Sequence, residues 1–105
     1  MGRNRIEQLQ EFINKSPNDP FPRYGLALEY KNGGQLEEAS QAFDALLAAF
    51  PDYTPAYLHA GNTLVARGLR AEARALFERG IEACVRKHDG HARGEIESAL
   101  AELQD

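Results

Sequence analysis

The chain has 105 residues, 16 acidic side chains against 12 basic ones, a net charge of −4, one Cys and no Trp. That length sets a single domain, the mild negative charge argues against a general nucleic-acid binder, and the lone Cys84 excludes an internal disulfide. No apolar run approaches the ~20 residues of a membrane span, and Arg3, Arg5 and Glu7 interrupt any apolar leader, so the expectation is a soluble, cytoplasmic chain.

Ala, Leu, Glu and Arg dominate, which favours helix over strand. The first helix is expected over 4–15. It stops at Ser16-Pro17-Asn18-Asp19-Pro20, because Pro fixes its own φ and restricts the residue before it. Asn14-Lys15-Ser16 matches a glycosylation sequon, which is expected to be chance because no secretory leader is expected. Ile6 stands where a myristoylation signal wants Ser or Thr. A second helix over 21–32 ends at Asn32-Gly33-Gly34, residues suited to a left-handed helix end. A third, over 36–49, carries Ala39, Phe43, Leu46, Leu47 and Phe50 on one stripe.

Pro51-Asp52-Tyr53-Thr54-Pro55 repeats the first breaker, and Thr54 is placed as the N-cap of a fourth helix over 55–67 with Pro55 at its first position. Gly68 ends that helix. A fifth, over 70–88, carries Ala73, Phe77, Gly80, Ile81 and Cys84 on its apolar stripe, and Asp89-Gly90 is read as its end. Cys84 there is a small hydrophobe rather than a reactive thiol. A sixth helix over 91–103 has Ala92, Ile96, Ala99, Leu100 and Leu103.

Charge is uneven. Residues 54–88 hold Arg67, Arg70, Arg74, Arg79, Arg86 and Lys87 against three acids, whereas 89–105 holds five acids against Arg93. This reads as a solvated, ion-paired helix followed by an acidic end, with Glu82 four residues before Arg86 in the favourable order. His88, Asp89, His91 and Glu95 form one cluster of metal-ligand types, but a helix break lies among them, so a solvated loop is expected. Ser16, Ser40 and Ser98 stand in no nucleophile context. The expectation is no catalysis, no metal and no cofactor.

Shifted by 34 residues, the chain falls on itself. Pro17 lands on Pro51, Leu9 on Phe43 and Phe43 on Phe77; Ile13 lands on Leu47 and Leu47 on Ile81. Ala27 lands on Gly61, Tyr30 on Leu64, Gly34 on Gly68, and Glu38-Ala39 on Glu72-Ala73. A fixed period of this size marks stacked helix–turn–helix units. Such arrays present a curved surface to another chain. Gly61 lies mid-helix, where Gly costs about 1 kcal/mol relative to Ala, so a close helix approach is expected there. Ala39 and Ala73 are the small residues facing it and Ala27, and Phe43 and Phe77 fill the wider end. Because Ala27 fills the equivalent place, Gly61→Ala is expected to be near neutral and Gly61→Leu to overpack.

These residues resemble the tetratricopeptide repeat family over 20–53 and 54–87, with a half repeat before and a helix after. Leu26-Ala27 with Tyr30, and Ala60-Gly61 with Leu64, match its first helix; Gly34 and Gly68 its inner turn; Ala39/Phe43 and Ala73/Phe77 its second helix; Pro17 and Pro51 its repeat end. Arg23 and Tyr57 depart from the usual early Trp or Leu. Gly80 stands where Ala is common, and Val85 where a third Pro is due.

The resemblance implies an all-α, right-handed solenoid of antiparallel helix pairs: half repeat 4–19, repeat 20–53, repeat 54–88 and a capping helix over 91–103. It implies a concave groove lined by Phe21, Tyr24, Leu28 and Lys31, then Leu58, His59, Asn62 and Val65. Some members clamp a terminal carboxylate there, but Tyr24 and Leu28 occupy places that need Lys and Asn, and only Asn62 survives. The expected partner is an apolar helix or extended peptide of another protein. The alternatives are a homodimer through the groove, or nucleic-acid contact through the arginine-rich helix 70–88.

Overall fold

In a computed structural model describing residues 4–103, six helices follow one another: α1 Arg5–Lys15, α2 Pro20–Asn32, α3 Leu36–Ala49, α4 Pro55–Ala66, α5 Arg70–Lys87 and α6 Gly90–Glu102. Each packs on the next, α2 with α3 and α4 with α5 forming the two closest hairpins, and α6 reaches back to α4. The fold is an all-α helical repeat solenoid.

The sequence sets the ends of these helices locally. The Asn4 side chain accepts the Glu7 N–H at 2.8 Å to start α1, and Asp19 accepts the Phe21 N–H at 3.0 Å to start α2. Gly34 and Gly68 close the two hairpins at φ 79° and 82°, a left-handed conformation that costs glycine nothing.

Two junctions depart from expectation. Thr54 does not cap α4: its backbone is already helical, and its hydroxyl donates to Asp89 Oδ2 at 2.6 Å. Asp89-Gly90 does not end α5 either. His88 takes the left-handed turn at φ 55°, and Asp89 begins α6 by accepting the Ala92 N–H at 3.1 Å. One carboxylate thus caps α6 and ties it to the start of α4. Those two hydrogen bonds, Thr54 first, hold the Asp89 carboxyl below the usual Asp value. A depressed folded pKa gives stabilisation that is complete above the ordinary Asp pKa of about 3.9 and is lost as pH falls through the lower folded value. Asp89→Ala should therefore melt below wild type at neutral pH, the gap narrowing as the pH of thermal melts is taken down through that window. A gap independent of pH would remove the carboxylate from the account.

The core runs along the solenoid through Phe43, Leu46, Tyr57, Phe77, Cys84 and Ile96. Phe43 and Phe77 are buried as their spacing requires, and burial pushes the Cys84 thiol up, as suits a small hydrophobe. Tyr57 fills the early position of the second repeat and donates its hydroxyl to the Pro51 carbonyl at 2.6 Å. Gly80 makes room for it: a Cβ there would sit 2.7 Å from Tyr57 Cβ and 3.1 Å from Ile96 Cδ1. At Gly61 a Cβ would lie 2.1 Å from Phe77 Cε1. The expectation that Gly61→Ala is neutral is therefore overturned, since the second hairpin has no clearance for the methyl group that the first accepts at Ala27.

The arginines of α5 hold elements together. Arg70 and Arg74 donate to the Leu103 carbonyl at 2.7 and 3.1 Å, where the helix end carries partial negative charge. Arg86 places Nε and Nη2 each 2.9 Å from Asp52 Oδ1, joining the end of α5 to the loop before α4.

Candidate functional site

Helical spacing puts Tyr24, Leu28 and Lys31 on one face of α2, and Leu58, Asn62 and Val65 with His59 on one face of α4. Leu28, Leu58 and Val65 are half-buried and pack against the core, whereas Asn62 is exposed. Lys31 Nζ lies 3.2 Å from His59 Nδ1, and the Tyr24 ring is tilted against His59 with centroids 6.0 Å apart. These contacts join α2 to α4 across the inner surface. Glu95 of α6 adds a negative field at both Tyr24 and His59.

Two side chains change this list. Phe21 does not join the others: it lines a cavity with Arg5, Leu9, Phe12 and Pro22, at the α1 edge. Tyr53, read from the sequence only as part of the second breaker, adjoins these side chains. Its ring meets Tyr24 edge-on at 5.4 Å, and it continues the surface into a cavity of about 450 Å³ with Phe50, Pro51 and Lys87. It sits in the inter-repeat loop, where helical spacing has no power to place it.

The Lys31–His59 contact fixes a protonation state. An ammonium has no lone pair to offer, so Lys31 donates and His59 Nδ1 accepts, leaving the imidazole neutral with its proton on Nε2. Burial lowers the His59 pKa, Lys31 lowers it further, and Glu95 opposes both. Burial alone lowers that of Lys31. Tyr24 is raised by burial first, then by Tyr53 and Glu95. The surface therefore offers three rings and the donors of Lys31 and His59 over an aliphatic floor.

The His88–Glu95 cluster is dispersed. Asp89 is taken up by Thr54 and the α6 N-terminus, and His91 faces Glu95 at 3.7 Å. Among the described residues no group of three or more His, Cys, Asp or Glu is placed to hold a metal ion, and no helix is long and apolar enough to cross a membrane.

Residues 32–83 match a family model described as tetratricopeptide repeat, which spans the α2–α3 turn to the last turns of α5. The chain belongs to the tetratricopeptide repeat family. The TPR repeat-containing protein PA0015 of Pseudomonas aeruginosa is 26% identical over 98 residues, covering 93% of each chain. The solution structure of protein BPP2914 from Bordetella parapertussis is 26% identical with a TM-score of 0.82, covering 97% of this chain and 89% of that one. The fold also matches the Yersinia enterocolitica type III secretion translocator chaperone SycD, at 18% identity and a TM-score of 0.83, over 93% of this tetratricopeptide repeat chain and 68% of the chaperone. Tetratricopeptide repeats are protein-interaction modules, typically without catalysis of their own.

Proposed function

We propose that this tetratricopeptide repeat chain binds a peptide segment or helix of a partner protein on the inner face of α2 and α4. The site comprises Tyr24, Leu28, Lys31, Tyr53, Leu58, His59, Asn62 and Val65. The observation that carries this reading is the Tyr53–Tyr24–His59–Lys31 cluster, an open aromatic and donor surface spanning two repeats. Aromatic anchors in such surfaces carry a large share of binding energy. The likeness in fold to a translocator chaperone supports a protein partner. The charges of α5 do not favour nucleic acid, because Arg70, Arg74 and Arg86 are committed to Leu103 and Asp52.

We also read the chain as one domain of a half repeat, two repeats and the cap α6. Ala92, Ile96 and Ala99 of α6 follow Ala56, Ala60 and Thr63 of α4 at a spacing of 36 residues, and Ile96 lies against Gly80. The places of Tyr57 and Gly61, which face α5, then fall on Arg93 and Glu97. These are exposed and paired at 3.1 Å, a face built for water.

Display of random peptides on a library tests the groove. Asn62 is exposed, so Asn62→Arg fills the inner face without touching the core. Segments selected by wild type should bind Asn62→Arg, and separately Tyr24→Ala, about tenfold or more weakly, with helicity unchanged. Equal binding by folded Asn62→Arg would place the site elsewhere.

A further inference from the structure

One position on the apolar face of α1, Phe12, is bare where its two counterparts are covered. Leu9, Phe12 and Ile13 stand one period before Phe43, Leu46 and Leu47. Leu46 is wholly buried, yet Phe12 is 57% exposed, because among the described residues no helix lies over α1 as α2 lies over α3. Phe21, 67% exposed, adjoins it, so two of the three exposed large apolar side chains of the described residues share one patch. Patches of this kind mark interaction surfaces.

The relief of that patch says what fits it. Phe12 is a ridge between two hollows: one of about 290 Å³ walled by Arg5, Leu9, Phe21 and Pro22, the other of about 330 Å³ walled by Gln8, Glu11 and Lys15. An enclosed cavity of about 150 Å³ suffices for benzene, so the first hollow is large enough for a phenyl ring. An aromatic knob beside an aromatic-sized hole is self-complementary, the property a two-fold interface requires. The opposite end of the solenoid does not supply a match, since the corresponding side of α6 bears the Arg93–Glu97 pair.

We propose that two copies of the chain associate about a two-fold axis at α1, the Phe12 ring of each entering the hollow between Leu9, Phe21 and Pro22 of the other. Arg5, paired with Glu29 at 3.5 Å but with its side chain still largely exposed, stands at the rim, where its guanidinium can lie over the incoming ring. One helix and the first turn of α2 form a small patch. The dimer therefore belongs to the weak, reversible class that buries less than about 1,200 Å² in total. Closure by a two-fold axis stops growth at two chains, and the α2–α4 groove stays open in both copies.

Sedimentation of the full chain from low micromolar to millimolar concentration tests this. The mass should rise reversibly from one chain to two. Phe12→Asp should stay at one chain throughout, and Phe21→Ser should weaken association about tenfold or more. In wild type the concentration-dependent amide shifts should gather on Leu9, Phe12 and Phe21, a measurement independent of any variant's folding. Asn62→Arg should dimerise like wild type, which separates this interface from the groove. A single chain at every concentration overturns the proposal. So does a dimer lost in Asn62→Arg but kept in folded Phe12→Asp, or a mass that climbs past two chains.

Discussion

Phe77→Ala should lower the unfolding free energy by about 3–5 kcal/mol, the range for deleting a packed aromatic ring. The ring is fully buried between α4 and α5 and touches the Gly61 backbone, so neither helix can move in to fill the space without losing its own contacts. A domain of this size has only about 5–15 kcal/mol in all. Chemical denaturation should show a midpoint far below wild type with little change in slope. A midpoint near wild type would mean that the α4–α5 hairpin is not held by this ring.

Gly61 gives the second large effect, in the opposite steric sense. An added methyl group would overlap the Phe77 ring, at 2.1 Å from its nearest carbon. Ala improves helix propensity by about 1 kcal/mol, but overpacking a filled core costs about 1–3 kcal/mol, so Gly61→Ala should be net destabilising. Gly61→Leu should lose several times as much, if it folds. The two sites are in contact, so their effects should not add. Gly61→Ala combined with Phe77→Leu should be more stable than the sum of the single variants. Strict additivity in thermal melts would show that something other than the ring excludes bulk at Gly61.

Much of the fold could be read from residue spacing because its determinants are local and repeated. Gly34 and Gly68 mark left-handed turns wherever they occur, and the Phe43–Phe77 period fixes which face of each second helix is buried. The same logic failed where a side chain answers to a distant element. Thr54 has every local qualification for an N-cap, yet its hydroxyl binds Asp89 from thirty-five residues away. Ala27 and Gly61 are equivalent by period but not by clearance, because periodicity carries no information about how closely two helices settle.

Of the proposed groove, helical spacing can supply only which side chains share a helix face. Helical spacing places Tyr24, Leu28, Lys31, Leu58, Asn62 and Val65 on two adjacent faces. Phe21 misled because, in the first turn of α2, it turns toward the exposed Phe12. Tyr53 escaped because it lies in a loop, and its one signal was an aromatic residue between Pro51 and Pro55, a place where a half-buried ring can brace two repeats.

Terminal helices are ordinarily the first parts of a solenoid to fray. Here α6 is fastened at both extremities, by Asp89 to Thr54 at its start and by Arg70 and Arg74 to the Leu103 carbonyl at its finish. At the described start of the array, α1 rests on buried Leu9 and on the exposed Arg5–Glu29 pair. Thermal opening should thus be directional. Amide protons of α1 are expected to exchange with solvent through fluctuations that leave the rest intact, while those of α6 should wait for the α4–α5 hairpin itself to come apart.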